Sequence, residues 1–179
     1  MMKQLLNSER LLLRALEPED LVFFYNIEND TSLWSSSNTT VPYSKFLLKY
    51  YLENTKGDLF SDKELRLVVE CKETRQPIGM IDLYDFNAFH HRAEVGVVIL
   101  EEYRGKGYGS EALDLLVNYV FRFLMLHQLY AYVDSKNESS MALFSKVGFK
   151  QVSVLKDWFY DINGFRDAVV YQIFNCSKD

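Results

Sequence analysis

The stretch AEVGVVILEEYRGKGYGSEALDLLVNYVFRFL, residues 93–124, decides the fold. Its opening, Ala93 to Leu100, is an apolar, β-branched run bounded by charged residues and reads as a mostly buried strand. Its close places Leu113, Leu116, Val117, Val120 and Leu124 at helical spacing, with Glu111, Asp114, Asn118 and Arg122 on the opposite face. Between them lies the hexapeptide Arg104-Gly105-Lys106-Gly107-Tyr108-Gly109. The order is strand, glycine-rich turn, amphipathic helix. A helix that opens on glycines presents free backbone N–H groups and the positive end of its dipole, and Arg104 and Lys106 add charge beside them. The natural guest is a phosphate or pyrophosphate. An ordinary turn with solvated basic residues accounts for the same six residues. No GxxxxGK[ST] occurs, which excludes a P-loop, and glycines at alternate positions do not make the dinucleotide fingerprint GxGxxG.

Outward from this stretch, a chain of 179 residues with 48% hydrophobic composition can build one sizeable core and is short for two. Residues 1–179 are therefore expected to form a single domain. A net charge of −5 with no basic run argues against nucleic acid as a partner and is compatible with a cationic substrate. The apolar run near Leu5 is too short for a secretory signal, and nothing approaches a membrane span of ~20 apolar residues, so a cytoplasmic protein without a membrane partner is expected. Cys71 and Cys176 are too few for a disulfide framework. His90, His91 and His127 do not fall with acids at ligand spacing, so no catalytic metal is expected.

In chain order, Arg10 to Ala15 predicts a strand, and Pro18 followed by Glu19 and Asp20 marks the start of a helix. Ser35 to Thr40 reads as a loop. A second helix, roughly Tyr43 to Asn54, is expected to bury Phe46, Leu47, Tyr50 and Tyr51 in part. Leu65–Cys71 and Ile78–Phe86 predict a hairpin. Leu129–Val133 predicts a further strand, Asn137–Val147 a short helix ended by Gly148, and Phe149–Asp157 with Phe165–Phe174 a final hairpin turning at Ile162-Asn163-Gly164.

The hexapeptide resembles the Arg/Gln-x-x-Gly-x-Gly/Ala signature of the GNAT acetyltransferases, and the segment Asn137 to Phe149, ending Lys146-Val147-Gly148-Phe149, is similar to the one that closes their coenzyme A site. Within that superfamily the chain looks most like bacterial spermidine/spermine N-acetyltransferases, through Leu67-Val68-Val69-Glu70, Gly79-Met80-Ile81-Asp82-Leu83, Arg92-Ala93-Glu94 and Asn163-Gly164-Phe165-Arg166-Asp167-Ala168. Ribosomal-protein N-terminal acetyltransferases are the next neighbours. The resemblance implies an α/β (α+β) GNAT fold, a central mixed, mostly antiparallel twisted sheet flanked by helices. It also implies transfer of acetyl from acetyl-CoA to a primary amine of a small molecule, a polyamine or diamine among the candidates. Protein N-termini, aminoglycosides and a weakly catalytic coenzyme A-binding module stay open as alternatives.

The resemblance also implies roles. The turn Arg104, Gly105, Lys106, Gly107, Tyr108, Gly109 and Ser110 would wrap the pyrophosphate. Backbone N–H groups of Val97 and Val98 would hold the thioester and the pantetheine arm, with Asn137 and Phe144 beside them. Glu94 would be the base, because a primary ammonium with a pKa of about 10 must lose a proton before it attacks; an ion pair with Arg92 on the same strand face is the competing role. The polyamine enzymes usually carry Tyr at the position of Phe144, where its hydroxyl protonates the departing thiolate. Phenylalanine has no such proton, so Ser140 or Tyr132, with Tyr130 a further option, would serve instead. Asp82 and Tyr84 would line the amine pocket. Strand alternation would put Asp82 and Asp85 on opposite faces. The region from Ser35 to Lys49 lacks the acids that those enzymes use to bind regulatory polyamine, so allosteric control is expected to be lost. The family forms dimers and larger rings, implying a homo-oligomer.

Overall fold

The structure, a computed structural model, describes residues 5–34, 39–55 and 57–176. Seven strands form one sheet in the order β1-β2-β3-β4-β5-β7-β6. They are β1 (Leu11–Ala15), β2 (Leu65–Cys71), β3 (Gln76–Asn87), β4 (Arg92–Ile99), β5 (Gln128–Asp134), β6 (Lys150–Asp161) and β7 (Gly164–Phe174). Every neighbouring pair is antiparallel except β4 with β5. That parallel pair is joined by the helix α4 (Tyr108–Arg122), which gives the strand-turn-helix order a crossover to make. The expected fold class holds: a mixed, mostly antiparallel sheet flanked by helices.

Alternation along the strands sorts residues onto two faces. Odd-numbered Leu11, Leu13, Val69, Ile81, Leu83, Ala93, Val95, Leu129 and Ala131 are buried with Leu113, Leu116, Val117 and Val120 of α4. The helix α5 (Glu138–Val147) brings Phe144 to the same cluster. On the other face, Met80 packs beneath Phe24 and Ile27 of α1 (Leu21–Glu28) and Leu48 of α2 (Lys45–Asn54).

Three details differ from the sequence reading. In α2 the buried residue is Leu48, whereas Phe46 is 81% exposed and Leu47 and Tyr50 are also exposed; only Tyr51 packs inward, as expected. The run Phe46-Leu47-Leu48 covers most of a helical turn, so docking against Phe24 chooses the face, and periodicity cannot. A one-turn helix, α3 (Leu59–Asp62), is capped by the Asp58 side chain and buries Leu59. Near the end of β3 the register with β4 shifts between Tyr84 and Asn87, and Asp85 takes φ +42°. Of the expected loop at Ser35 to Thr40, residues 35–38 lie outside the described residues.

Candidate active site

β4 and β5 pair through Arg92–Gln128, Ala93–Leu129 and Glu94–Tyr130. Beyond Glu94 that pairing stops, yet β4 runs on to Ile99 against β3. A slot therefore opens beside the second half of β4. Peptide groups of alternate residues point to opposite strand edges. Leu100 donates its N–H to the Ile78 carbonyl at 2.9 Å, and a Cβ placed on Gly79 would fall 2.2 Å from the Val98 carbonyl oxygen. Even-numbered residues of β4 thus turn toward β3. The Val97 N–H faces the slot, and the Val98 N–H belongs to the ladder with β3. Of the two backbone donors expected from the sequence, Val97 is the one whose N–H turns to the slot.

At the far end of the slot Gly107, with φ +84°, begins α4. No side chain caps this helix, so the N–H groups of its first turn are open to a ligand. This conformation favours glycine. The side chains around it are committed elsewhere. Arg104 Nε donates to the Ile99 carbonyl at 2.8 Å, Lys106 Nζ to the Glu102 carbonyl at 2.8 Å, and Ser110 Oγ to the Gly107 carbonyl at 3.0 Å. The Tyr108 ring lies against the Arg10 guanidinium, 4.7 Å away, leaving its backbone as its contribution. Gly109 answers a packing need, since a Cβ there would sit 2.7 Å from Leu143 Cδ1 and 3.5 Å from Ile99 Cγ1. A cradle of backbone donors at a helix dipole suits a pyrophosphate, and these residues fit one.

Sequence reasoning missed what holds the cradle. Arg10 donates from Nη1 to the Lys106 carbonyl at 3.1 Å and from Nε to the Glu111 carboxylate at 2.7 Å. Ser8 Oγ adds a bond to Glu111 at 2.6 Å. Both come from the segment entering β1, some hundred residues away, and no local pattern announces such a contact.

Asn137 caps α5, its side-chain oxygen accepting the Ser140 N–H at 3.0 Å. Phe144 is buried against Phe149 and stacks on Tyr171 with ring centroids 6.0 Å apart, so it belongs to the core and offers the slot little surface. Tyr132 stacks on Trp158 at 5.4 Å and meets Tyr130 edge-on at 5.7 Å.

Glu94 stands where the slot begins, opposite Tyr84 on one side and Tyr130 on the other. Among the described residues it has no ion-pair or hydrogen-bond partner, so the expected competitor, Arg92, does not take it. Burial without a compensating charge pushes its pKa up to about 7, and Asp85 adds repulsion in the same direction.

Asp82 is buried. It accepts the Tyr84 hydroxyl at 2.5 Å and lies 3.4 Å from Arg66 Nε, and Arg66 also donates to Glu28 at 2.5 Å. Burial pushes the Asp82 carboxyl up, against the pull of Arg66, and burial with the nearby Asp82 pushes the Tyr84 phenol up. Asp82 therefore sits behind Arg66 and Tyr84 and does not form an open pocket wall. Asp85 is the second correction. It accepts the Tyr130 hydroxyl at 2.6 Å, and Tyr130 is the register partner of Glu94, so the irregular turn of β3 has brought Asp85 to the face of Glu94.

On the same side, a cleft of about 500 Å³ opens between α1, α2 and β2. Glu28, Asp62 and Glu64 line it with Tyr43, Tyr50 and Tyr51, and Arg66 is the one cation among its lining residues. Among the described residues no three His, Cys, Asp or Glu side chains gather as a metal cluster, and no helix is long and apolar enough to cross a membrane.

A half-unzipped parallel pair, an uncapped glycine-led helix at one end of the slot and an unpaired carboxyl at the other define an acyltransferase of the coenzyme A-dependent kind. The chain belongs to the GNAT acetyltransferases: the model of the acetyltransferase (GNAT) domain matches residues 10–150. The spermidine N(1)-acetyltransferase of Escherichia coli (strain K12) is 34% identical over 172 residues, covering 94% of this chain and 88% of that one. A crystal structure of spermidine N-acetyltransferase from Vibrio cholerae in complex with CoA and spermine has a TM-score of 0.82 at 29% identity, covering 94% of this chain and 97% of that one. A dodecameric structure of the same enzyme in an intermediate state has a TM-score of 0.78 at 29% identity, covering 94% and 95%.

Proposed function

We propose that this acetyltransferase transfers acetyl from acetyl-CoA to a primary amine of a small polycation, a polyamine or diamine. The observation that carries the reading is Glu94, an unpaired, half-buried carboxyl with a pKa of about 7 on the same sheet face as a cleft rich in carboxylates. Near neutral pH such a group is ionised often enough to accept a proton and basic enough to hold it. Relatives that act on spermidine, and a neighbour bound to CoA and spermine, support the same acceptor class.

Bound acetyl-CoA supplies a thioester, an activated acyl group on a good leaving thiolate. The chain supplies the rest. First-turn N–H groups of α4, from Tyr108 to Ser110, hold the pyrophosphate. The Val97 N–H, facing the slot, donates to the thioester oxygen as negative charge grows there. Glu28, Asp62 and Glu64 draw in the polycation, and Glu94 takes the proton from the ammonium that enters the slot. Ser140 or Tyr132 returns a proton to the thiolate, while Phe144 has none to give. The enzyme works as a homo-oligomer, a reading supported by the dodecameric neighbour, and needs no metal, so chelation leaves turnover unchanged.

The test is release of free thiol from acetyl-CoA with putrescine, spermidine and spermine, against glucosamine, an aminoglycoside and a peptide N-terminus. Turnover concentrated on the polyamines, and lost in Glu94→Gln, is the expected result. Equal turnover on the peptide would move the acceptor to proteins.

A further inference from the structure

We propose that Asp85, swung onto the acceptor face by the irregularity in β3 and anchored there by Tyr130, is a positioning residue that sets the pH at which Glu94 becomes a working base. The inference rests on Glu94 being that base.

The geometry starts from parity. In an unbroken β3, odd-numbered Asp85 would follow Ile81 and Leu83 toward α4, into the apolar cluster. A carboxylate there would lack any partner. The chain avoids this by breaking register between Tyr84 and Asn87, with Asp85 at φ +42°, a left-handed conformation that Asp tolerates better than most residues. The side chain then meets the Tyr130 hydroxyl at 2.6 Å. The Asp85 carboxylate, held on the face of a half-buried Glu94, opposes a second negative charge there.

The groups that surround Glu94 are few. β3 contributes Asp82, Tyr84 and Asp85; β5 contributes Tyr130 and Tyr132; β4 itself contributes Arg92, and beyond Asp82 stands Arg66 of β2. Arg66 is committed to Glu28 and Asp82, and Asp82 to Tyr84. Arg92 forms no ion pair with Glu94 among the described residues. Asp85 is the one charge in this set whose repulsion of Glu94 stands out beside the effect of burial.

The experiment pairs two readouts. Values of kcat/KM for spermidine between pH 5.5 and 9 at saturating acetyl-CoA give the acid limb. A ¹³C-carboxyl titration of Glu94, assigned by its loss in Glu94→Gln, gives the same proton without any acceptor. Asp85→Asn keeps the side-chain shape, and Asp85→Gly suits the positive φ. In both variants the limb and the titration are expected to move to lower pH by about one unit, so that activity at pH 6, relative to the plateau, rises about fivefold. A limb and titration that stay in place, or move up, overturn the proposal, even where KM rises; Asp85 would then be an ammonium contact or a structural residue. If Glu94→Gln leaves the rate intact, the base has been misassigned, and the titration still reports whether Asp85 governs Glu94.

Discussion

On the α4 side of the sheet, Ile81, Leu83, Val95 and Ala131 meet Leu113 and Leu116 in a dry, close-packed layer; one residue along the same strands, Asp82, Tyr84, Glu94 and Tyr130 form a layer of carboxyls and phenols. Both layers hang on the same backbone and so share its rigidity. The first layer supplies burial and the second supplies chemistry, which explains why the second tolerates an unpaired acid and a left-handed aspartate that would not survive in the first. Buried charges on the polar side are handled by pairing, as with Arg66 between Glu28 and Asp82. Among the described residues, Glu94 is left without such a partner.

Three substitutions, one of them read in two ways, sharpen this contrast, in falling order of effect. Leu116→Ala, at a fully buried site on the dry face, is expected to cost about 3–5 kcal/mol in chemical denaturation, with the kcat of the surviving folded fraction unchanged. Glu94→Gln, on the polar face, should do the reverse, lowering kcat for spermidine about a hundredfold, equivalent to about 2.7 kcal/mol, while the protein stays folded.

The same Glu94→Gln variant has a stability signature with a fixed sign. Because the folded-state pKa, about 7, lies above the unfolded value, the ionised side chain disfavours the native state. That penalty is absent below about pH 4.5, grows as pH rises and is complete above about 7. The variant should therefore be more stable than the parent by about 1–2 kcal/mol at pH 8 and equal to it near pH 4.5, a figure discounted for partial solvent screening. A stability difference independent of pH would show that Glu94 is solvated like a surface acid. Smallest is Gly109→Ala, whose Cβ meets the movable end of Leu143; about 1 kcal/mol of stability and a raised KM for acetyl-CoA, with kcat kept, are expected.

Much of this arrangement was legible in the sequence because it rests on local periodicity. Residues 93–124 announce strand, turn and helix, and the alternation that hides Val95 while leaving Glu94 on the other face follows from counting by two. What escaped was non-local or broke the count. The alternation rule sent Asp85 to the wrong face because a register shift and a positive φ leave no compositional mark. Val97 and Val98 look alike in sequence, and it takes the hydrogen bond from Leu100 to Ile78 and the approach of the Val98 carbonyl to Gly79 to tell their edges apart. Gly109 sits in a motif read as ligand-driven, yet its missing Cβ makes room for Leu143 of α5. Phe144, read as a slot residue lacking a hydroxyl, is held in the core by Phe149 and Tyr171.

The early end of the β4–β5 ladder has a consequence for motion. β4 lies in the middle of the sheet, yet past Glu94 one of its edges carries no strand, so it is an interior strand with an exterior strand's amides. In deuterated solvent, the protein without acetyl-CoA should exchange its Val97 and Ile99 amides quickly and keep those of Gly96 and Val98, a two-residue rhythm inside a single strand. Acetyl-CoA in the slot should slow Val97 and flatten that rhythm, so that the donor completes the sheet as a missing strand would.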